Sequence, residues 1–439
     1  MLILCYILTI IFTISILRHE GKLYSPTNLF YWIILLNYLI LQFYTVLPSN
    51  NSGLSFLPTE FAFSAMPLNF DSTALSAANI QYFLLLSYGY LLTIFFSKKQ
   101  EKQEKQYDIH LNFGTMTERQ QLLLTISLII TLMLLTLHFF SMDSNILWQN
   151  HTYLLMADPM KMGIKNVLLR SVHLFIPFFG LISAGLIIHF YYSRSHIYLF
   201  LTTPIFLYSL VLMLAQNSRW APLYFFIMFL YCVLLKKGNL LIYCFFIGVG
   251  FLFFLKVLIG RGGYNQGISS IFYGFSEIKI GSLFFYFMGF LNNIGEGAIG
   301  FANAELIAPT YDLKYKILSF SPFPSLIDGF SSIKPYNEIR ISKHVPMSSI
   351  SEARWFGVFF ILIFHSTLIF LLKTANKVFY STKGIVPVII TGFVCWAVFT
   401  MSSYPIRNIY RIILLMIFCL IFIDRNKEIF IKNTNGDNK

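Results

Sequence analysis

Charge is what this sequence has least of. Only 12% of its 439 residues are Asp, Glu, Lys or Arg, where a soluble domain carries about 25%. Apolar residues at 56% and aromatics at 18% take up the difference, not Gly, Ser or Pro. That balance excludes intrinsic disorder and argues against a soluble globular fold. Also missing are the ten-residue segments of alternating polarity that a membrane β-barrel requires. Cysteine is scarce. The five, Cys5, Cys232, Cys244, Cys395 and Cys419, lie inside apolar runs, and no pair has metal-ligand spacing. They read as small core residues, not as disulfides or redox centres. A positive region before the first apolar run is lacking too, as is a small-residue cleavage site after it, so no cleavable signal peptide is expected.

What is present is length. Apolar runs of about 17 to 25 residues, the span a bilayer demands, recur along the whole chain. The predicted helices are 1–17, 27–47, 74–97, 121–140, 170–192, 197–215, 219–235, 240–259, 354–372, 384–404 and 406–423. The fold class is therefore an all-α polytopic membrane protein with about eleven transmembrane helices. The formal charge of +13 would suggest nucleic acid in a soluble protein. Here it reports sidedness instead. Lysine and arginine crowd the short connections on one side, as in Lys98, Lys99, Lys102 and Lys105, Lys236 and Lys237, and Lys373, Lys377 and Lys383. By the positive-inside rule that side is cytoplasmic, with the N-terminus out and the C-terminus in. Three sizeable loops fall outside: 48–73, 141–169 and, by far the longest, 260–353. The chain divides into helices 1–259, this long loop, and a final helical part, 354–439. The loop's aromatic content argues for a folded cap with short helices lying on the membrane.

Arginine carries the most informative pattern. Helices running inward from the outer side are expected to begin with Arg170, Arg219, Arg354, and the pair Arg407 and Arg411. The pair is four residues apart and shares one helix face. Free N–H groups and the helix dipole favour an anion at a helix N-terminus. Guanidinium groups add two-pronged phosphate binding, so a pyrophosphate site is expected. Snorkelling toward lipid headgroups is the competing reading. For Arg170 and Arg354 the two stand level. For Arg219, within Gln216-Asn217-Ser218-Arg219-Trp220, and for Arg411, depth and polar company favour a ligand.

The long loop supplies the candidate bases. It opens Gly260-Arg261-Gly262-Gly263-Tyr264 and passes through Asn292-Asn293-Ile294-Gly295-Glu296-Gly297. It closes with Lys343-His344 and Ser351-Glu352-Ala353-Arg354. His344, Glu296, Glu352 and Asp328 are candidate general bases. A solvated surface role competes for His344, and an ion pair with the neighbouring arginine competes for Glu352. His138, His173, His189 and His365 lie within spans at spacings that make no metal site, and read as hydrogen-bonded interfacial residues. No internal inverted repeat of the transporter kind is evident.

The helix count, the dominant late loop and the outer arginines resemble those of the bacterial O-antigen polymerases (Wzy) and related oligosaccharide repeat-unit polymerases. The local sequences that carry the resemblance are Asn217-Ser218-Arg219, Gly260-Arg261-Gly262-Gly263, Gly295-Glu296-Gly297, Pro322-Phe323-Pro324-Ser325 and Ser351-Glu352-Ala353-Arg354-Trp355-Phe356-Gly357. The resemblance implies a glycosyltransferase of the bacterial inner membrane that joins undecaprenyl-pyrophosphate-linked oligosaccharides at the periplasmic face. Arg219, Arg261, Arg407 and Arg411 would hold the pyrophosphate, and His344 would be the first residue to test as base. It implies no cofactor and no metal, in keeping with the lack of an Asp-x-Asp motif. The implied partners are the lipid bilayer and the chain-length regulator and flippase of the same pathway. An O-antigen ligase shares the donor and is the nearest rival. A flippase or transporter of lipid-linked oligosaccharide is the rival from another class.

Overall fold

The computed structural model describes residues 118–149, 158–234, 238–262, 266–278, 310–321, 348–382 and 386–425, with 25–30 and a few isolated positions besides. The predicted helices 1–17, 27–47 and 74–97 lie almost wholly outside the described residues. Among the described residues the elements are helices: α1 Glu118–Ser141, α2 Ser144–Trp148, α3 Val167–Tyr192, α4 His196–Ala215, α5 Trp220–Leu234, α6 Leu240–Gly262, α7 Ser269–Ser276, α8 Leu313–Ser319, α9 Ser349–Phe356, α10 Val358–Ser381, α11 Val386–Ser403 and α12 Ile406–Arg425. Six of them, α1, α3, α4, α6, α10 and α12, are long and apolar enough to cross a membrane. They mark the chain as a multi-pass α-helical membrane protein.

The reasons are local. In hydrocarbon every backbone group must be satisfied within its own segment, which the α-helix does. Hydroxyls obey the same rule. Thr125, Ser127, Thr131 and Thr136 of α1 each donate to the carbonyl four residues earlier, so α1 turns no unsatisfied hydroxyl outward. Its outer face shows Leu122, Met133 and Phe140, the last 78% exposed, as a lipid-facing helix should. Asn166 starts α3 by accepting the Leu168 N–H at 2.8 Å. Tight reversals follow, with Arg194 and Asn217 in the left-handed region at φ 57° and 51°.

α3 is the hub and packs on α4, α5 and α11. Its buried face includes Gly180, Ser183, Ala184 and Gly185, small residues that let neighbouring backbones approach without help from water. Phe178 lies 4.4 Å from Phe393 between ring centroids, and Phe175 lies 6.2 Å from Trp396. Rising numbers on α3 meet falling numbers on α11, so the two are antiparallel. The starts of α3, α5, α10 and α12 and the ends of α1, α4, α6 and α11 therefore share one end of the bundle. The short helices α2, α7, α8 and α9 belong to the segments that leave from this loop end.

One predicted boundary needs correction. The sequence pattern places a helix at 354–372, opened by Arg354. Instead α9 ends at Phe356, Gly357 turns the chain at φ 105°, and α10 runs from Val358 to Ser381. Arg354 therefore stands in the last turn of a short helix rather than at the start of a span. A side chain at position 357 would meet open space but would strain that φ.

Candidate functional site

The site is built around the start of α12. Pro405 has no N–H to give, and its carbonyl accepts the N–H of Asn408 at 2.9 Å. The first helical N–H, from Ile406, donates to Oε2 of Glu352 at 2.6 Å. Oε1 of the same carboxylate accepts from the Tyr315 hydroxyl at 3.1 Å. Glu352 is 2% exposed. A carboxylate at a helix N-terminus answers both the free N–H and the dipole. Two further bonds complete the joint: the Ser349 hydroxyl donates to the Tyr404 carbonyl, and Ser348 caps α9. One buried glutamate thus ties α8, α9 and α12 together. Tyr311 stacks on Tyr315 at 5.8 Å. Burial, with the Glu352 carboxylate beside it, pushes the Tyr311 hydroxyl above its ordinary range.

The arginines fall into two groups at the loop end. Arg407, 8% exposed, is the second residue of α12. Half-buried Arg411 follows one turn on, its Nε–H donating to the Arg407 carbonyl at 2.9 Å and a terminal N–H to Oδ1 of Asn408 at 3.3 Å. Arg354 approaches from α9, which packs on α12, with its guanidinium 4.7 Å from the Trp355 ring centroid. Arg354 lies two residues beyond Glu352 on α9, and Arg407 follows Ile406, whose N–H that carboxylate accepts. Arg219 belongs to the second, immediately before α5. The packed path from α5 to α12 runs through α3 and α11. Arg261 stands at the end of α6, where its backbone alone is described. Arg170 is committed elsewhere. Its Nε–H and a terminal N–H donate to the carbonyls of Ile164 and Lys165, both at 2.9 Å, clamping the segment that leads into α3. His344, Glu296 and Asp328 lie outside the described residues.

Two polar clusters stand beyond the residues that sequence reasoning singled out as binding groups. Lys256, 0% exposed on α6, donates to Oδ1 of Asn217 at 2.6 Å and to the Leu214 carbonyl. Its signal was available, because an ionisable residue inside a span is a functional candidate by default. The second cluster joins His138 of α1 to His173 of α3, Nε2 to Nδ1, at 3.0 Å. His173 Nε2 faces the Met156 carbonyl at 3.1 Å, which can only accept. In the neutral pair the donors therefore run one way: Tyr208 O–H to His138 Nδ1 at 2.6 Å, His138 to His173, and His173 to Met156. Gln216 donates to the same carbonyl, and Gln266 both accepts from the Met156 N–H and donates to the Gln216 carbonyl. Tyr208→Phe should cost about 1 kcal/mol, whereas His138→Leu should cost about 2–4 kcal/mol because it strands the Tyr208 hydroxyl and His173 Nδ1 together. Thermal unfolding of the purified variants checks the order, and equal costs would show that the chain of donors is not formed.

Among the described residues no three His, Cys, Asp or Glu side chains gather as a metal site. Comparison with protein-family models, with curated proteins and with solved structures finds no match.

Proposed function

We propose that this chain is an O-antigen polymerase, a glycosyltransferase of the bacterial inner membrane with about eleven transmembrane helices, N-terminus out and C-terminus in. It joins undecaprenyl-pyrophosphate-linked oligosaccharides at the periplasmic face, which is the loop end of the bundle. The observation that carries this reading is the placement of four arginines at that one end, Arg407 and Arg411 in the first turns of α12, Arg354 on α9, which packs on α12, and Arg219 before α5. A polymerase handles two lipid-linked pyrophosphates at once, a growing donor and a single-unit acceptor. Arg219 stands apart from the arginines of α12, with α3 and α11 between them, and two such separate places suit two headgroups.

The reaction needs no more than positioning, charge and a base. A hydroxyl of the acceptor sugar attacks the anomeric carbon of the donor, forming a C–O bond and giving up its proton to the base. The anomeric bond to pyrophosphate breaks, and undecaprenyl pyrophosphate leaves with the electron pair. Guanidinium groups stabilise the charge that gathers on the leaving group, in a site whose dipoles are already aimed. Glu352 serves in this scheme by fixing the start of α12, from which Arg407 and Arg411 project. The base is sought at His344 first and then at Glu296. The chain-length regulator and the flippase of the pathway are the proposed partners.

The test replaces Arg219 and Arg411 with alanine and with lysine in cells that display the polysaccharide. The alanine forms should lower elongation about a hundredfold and collapse the surface ladder to single-unit product. Lysine should restore little of it, because an ammonium cannot bind two oxygens in one plane. A normal ladder from both alanine forms removes the polymerase reading. Loss of even the single-unit product on the lipid core assigns the protein as a ligase instead.

A further inference from the structure

We infer that Lys256 is a positioning residue, which sets the turn that presents Arg219 to an anionic pyrophosphate headgroup. The inference rests on the function proposed above. It begins with a reversal of unusual economy. α4 ends at Ala215, and the chain turns into α5 through Gln216, Asn217 and Ser218. Asn217 takes the left-handed conformation at φ 51°. Its N–H donates to the Leu214 carbonyl at 3.1 Å, and the Ser218 N–H reaches back to Met213 at 2.8 Å, so α4 closes as a Schellman motif. Ser218 then begins α5, its hydroxyl facing the Trp220 N–H at 3.4 Å and its carbonyl accepting from Ala221 at 3.3 Å. Arg219 lies between these two bonds. The turn sets the direction in which its Cα–Cβ bond leaves the backbone.

Nothing in that turn by itself demands asparagine. Glycine reaches the left-handed region more readily. Asparagine brings an oxygen, and Lys256 takes it. The Lys256 ammonium bridges Oδ1 of Asn217 and the Leu214 carbonyl, so it joins the turn residue to the helix end that the turn leaves. Two glycines make room. Gly260, one turn beyond Lys256 on the same face of α6, comes so close that a Cβ there would lie 2.1 Å from Oδ1 of Asn217. Gly274 of α7 lies against the lysine stem, and a Cβ there would lie 3.0 Å from its Cγ. α6 and α7 thus hold the ammonium on the turn. A fully buried ammonium within a span costs more than closing one helix end returns. A device for stability alone would use an apolar residue at 256 and glycine at 217. What the lysine adds is a fixed direction for the residue two positions on.

The experiment uses the full chain in nanodiscs, with farnesyl pyrophosphate as the probe and its dissociation constant as the readout. Melting temperatures are recorded beside it. Arg219→Ala and Lys256→Met should each weaken the probe about tenfold, as expected for one charge-assisted contact. If the lysine acts through Arg219, the double variant should bind no more weakly than Arg219→Ala alone. Multiplicative losses, about a hundredfold together, overturn the inference, because the two residues then act independently. So does wild-type affinity in Lys256→Met. In both cases Arg219→Ala is still weakened, and the proposed function stands. An Arg219→Ala form that binds like wild type sinks the role of Arg219 in that function and this inference with it. If Lys256→Met does not fold, Asn217→Gly takes its place with the same expectations, since it keeps the backbone conformation and removes the side-chain amide that Lys256 holds.

Discussion

Glu352→Ala is expected to lose about 4 kcal/mol of stability, while Glu352→Gln loses about 1 kcal/mol. The alanine form leaves the Ile406 N–H and the Tyr315 hydroxyl without their acceptor in a buried joint. Each stranded group costs about 1–3 kcal/mol, and the uncapped start of α12 adds about 1 kcal/mol. The glutamine form behaves differently because its two neighbours differ. A backbone N–H can only donate, so the amide oxygen must take the Ile406 position. A tyrosine hydroxyl can also accept, so Tyr315 reverses and receives the amide N–H. The joint stays satisfied and loses only the charge that answered the helix dipole. Thermal unfolding of both variants checks the ranking. Activity then separates a structural role from a chemical one. If glutamine preserves both fold and elongation, Glu352 holds α12 in place. If it preserves the fold and abolishes elongation, the carboxylate takes part in the chemistry. Equal destabilisation by both substitutions would contradict the joint itself.

Where spans are concerned, much was legible. The predicted helices 121–140, 197–215 and 406–423 meet α1, α4 and α12 to within a few residues, because bilayer thickness sets the length of an apolar run whatever its neighbours do. The break at Gly357 was not. A glycine inside an apolar helical pattern is usually tolerated. Whether it turns the chain depends on tertiary contacts, here the bonds of Glu352 and Ser349 to residues around 405. The site followed the same division. Arginines at outer helix ends stand out because the positive-inside rule should remove them. Their partners do not stand out. Helices that are apolar all round give no stripe to say which face turns inward, so neither the pairing of His138 with His173 nor the distance between Arg219 and the α12 group could be read. Lys256 is the instructive omission. It lies inside the predicted helix 240–259 and is 0% exposed, yet nothing in the sequence names the turn of α4 that it binds.

The contact between α3 and α5 gives the sharpest steric expectation, and it bears on Arg219 because α5 carries that residue's turn. Tyr224 of α5 is 0% exposed, and the hydroxyl end of its ring lies against Gly180 of α3. A Cβ at position 180 would sit 2.1 Å from Cζ, 2.3 Å from the hydroxyl oxygen and 2.6 Å from Cε2 of that ring. Such a ring, enclosed by Phe206 at 6.1 Å between centroids and by the rest of the core, has no free direction in which to yield. Gly180→Ala should therefore cost about 3 kcal/mol, the upper end of ordinary overpacking, and Gly180→Val more. Tyr224→Phe should not rescue the alanine form, because the clashing carbons remain. Alone, Tyr224→Phe should be neutral or slightly stabilising, since the hydroxyl has no hydrogen-bond partner among the described residues. Tyr224→Leu removes the ring, so the double variant Gly180→Ala with Tyr224→Leu should melt higher than Gly180→Ala alone. Additive losses in that pair would mean that α3 and α5 are not in contact there, and the placement of Arg219 relative to α3 would have to be redrawn. Rescue, in contrast, fixes α5 against the hub of the bundle and with it the distance between the two basic groups.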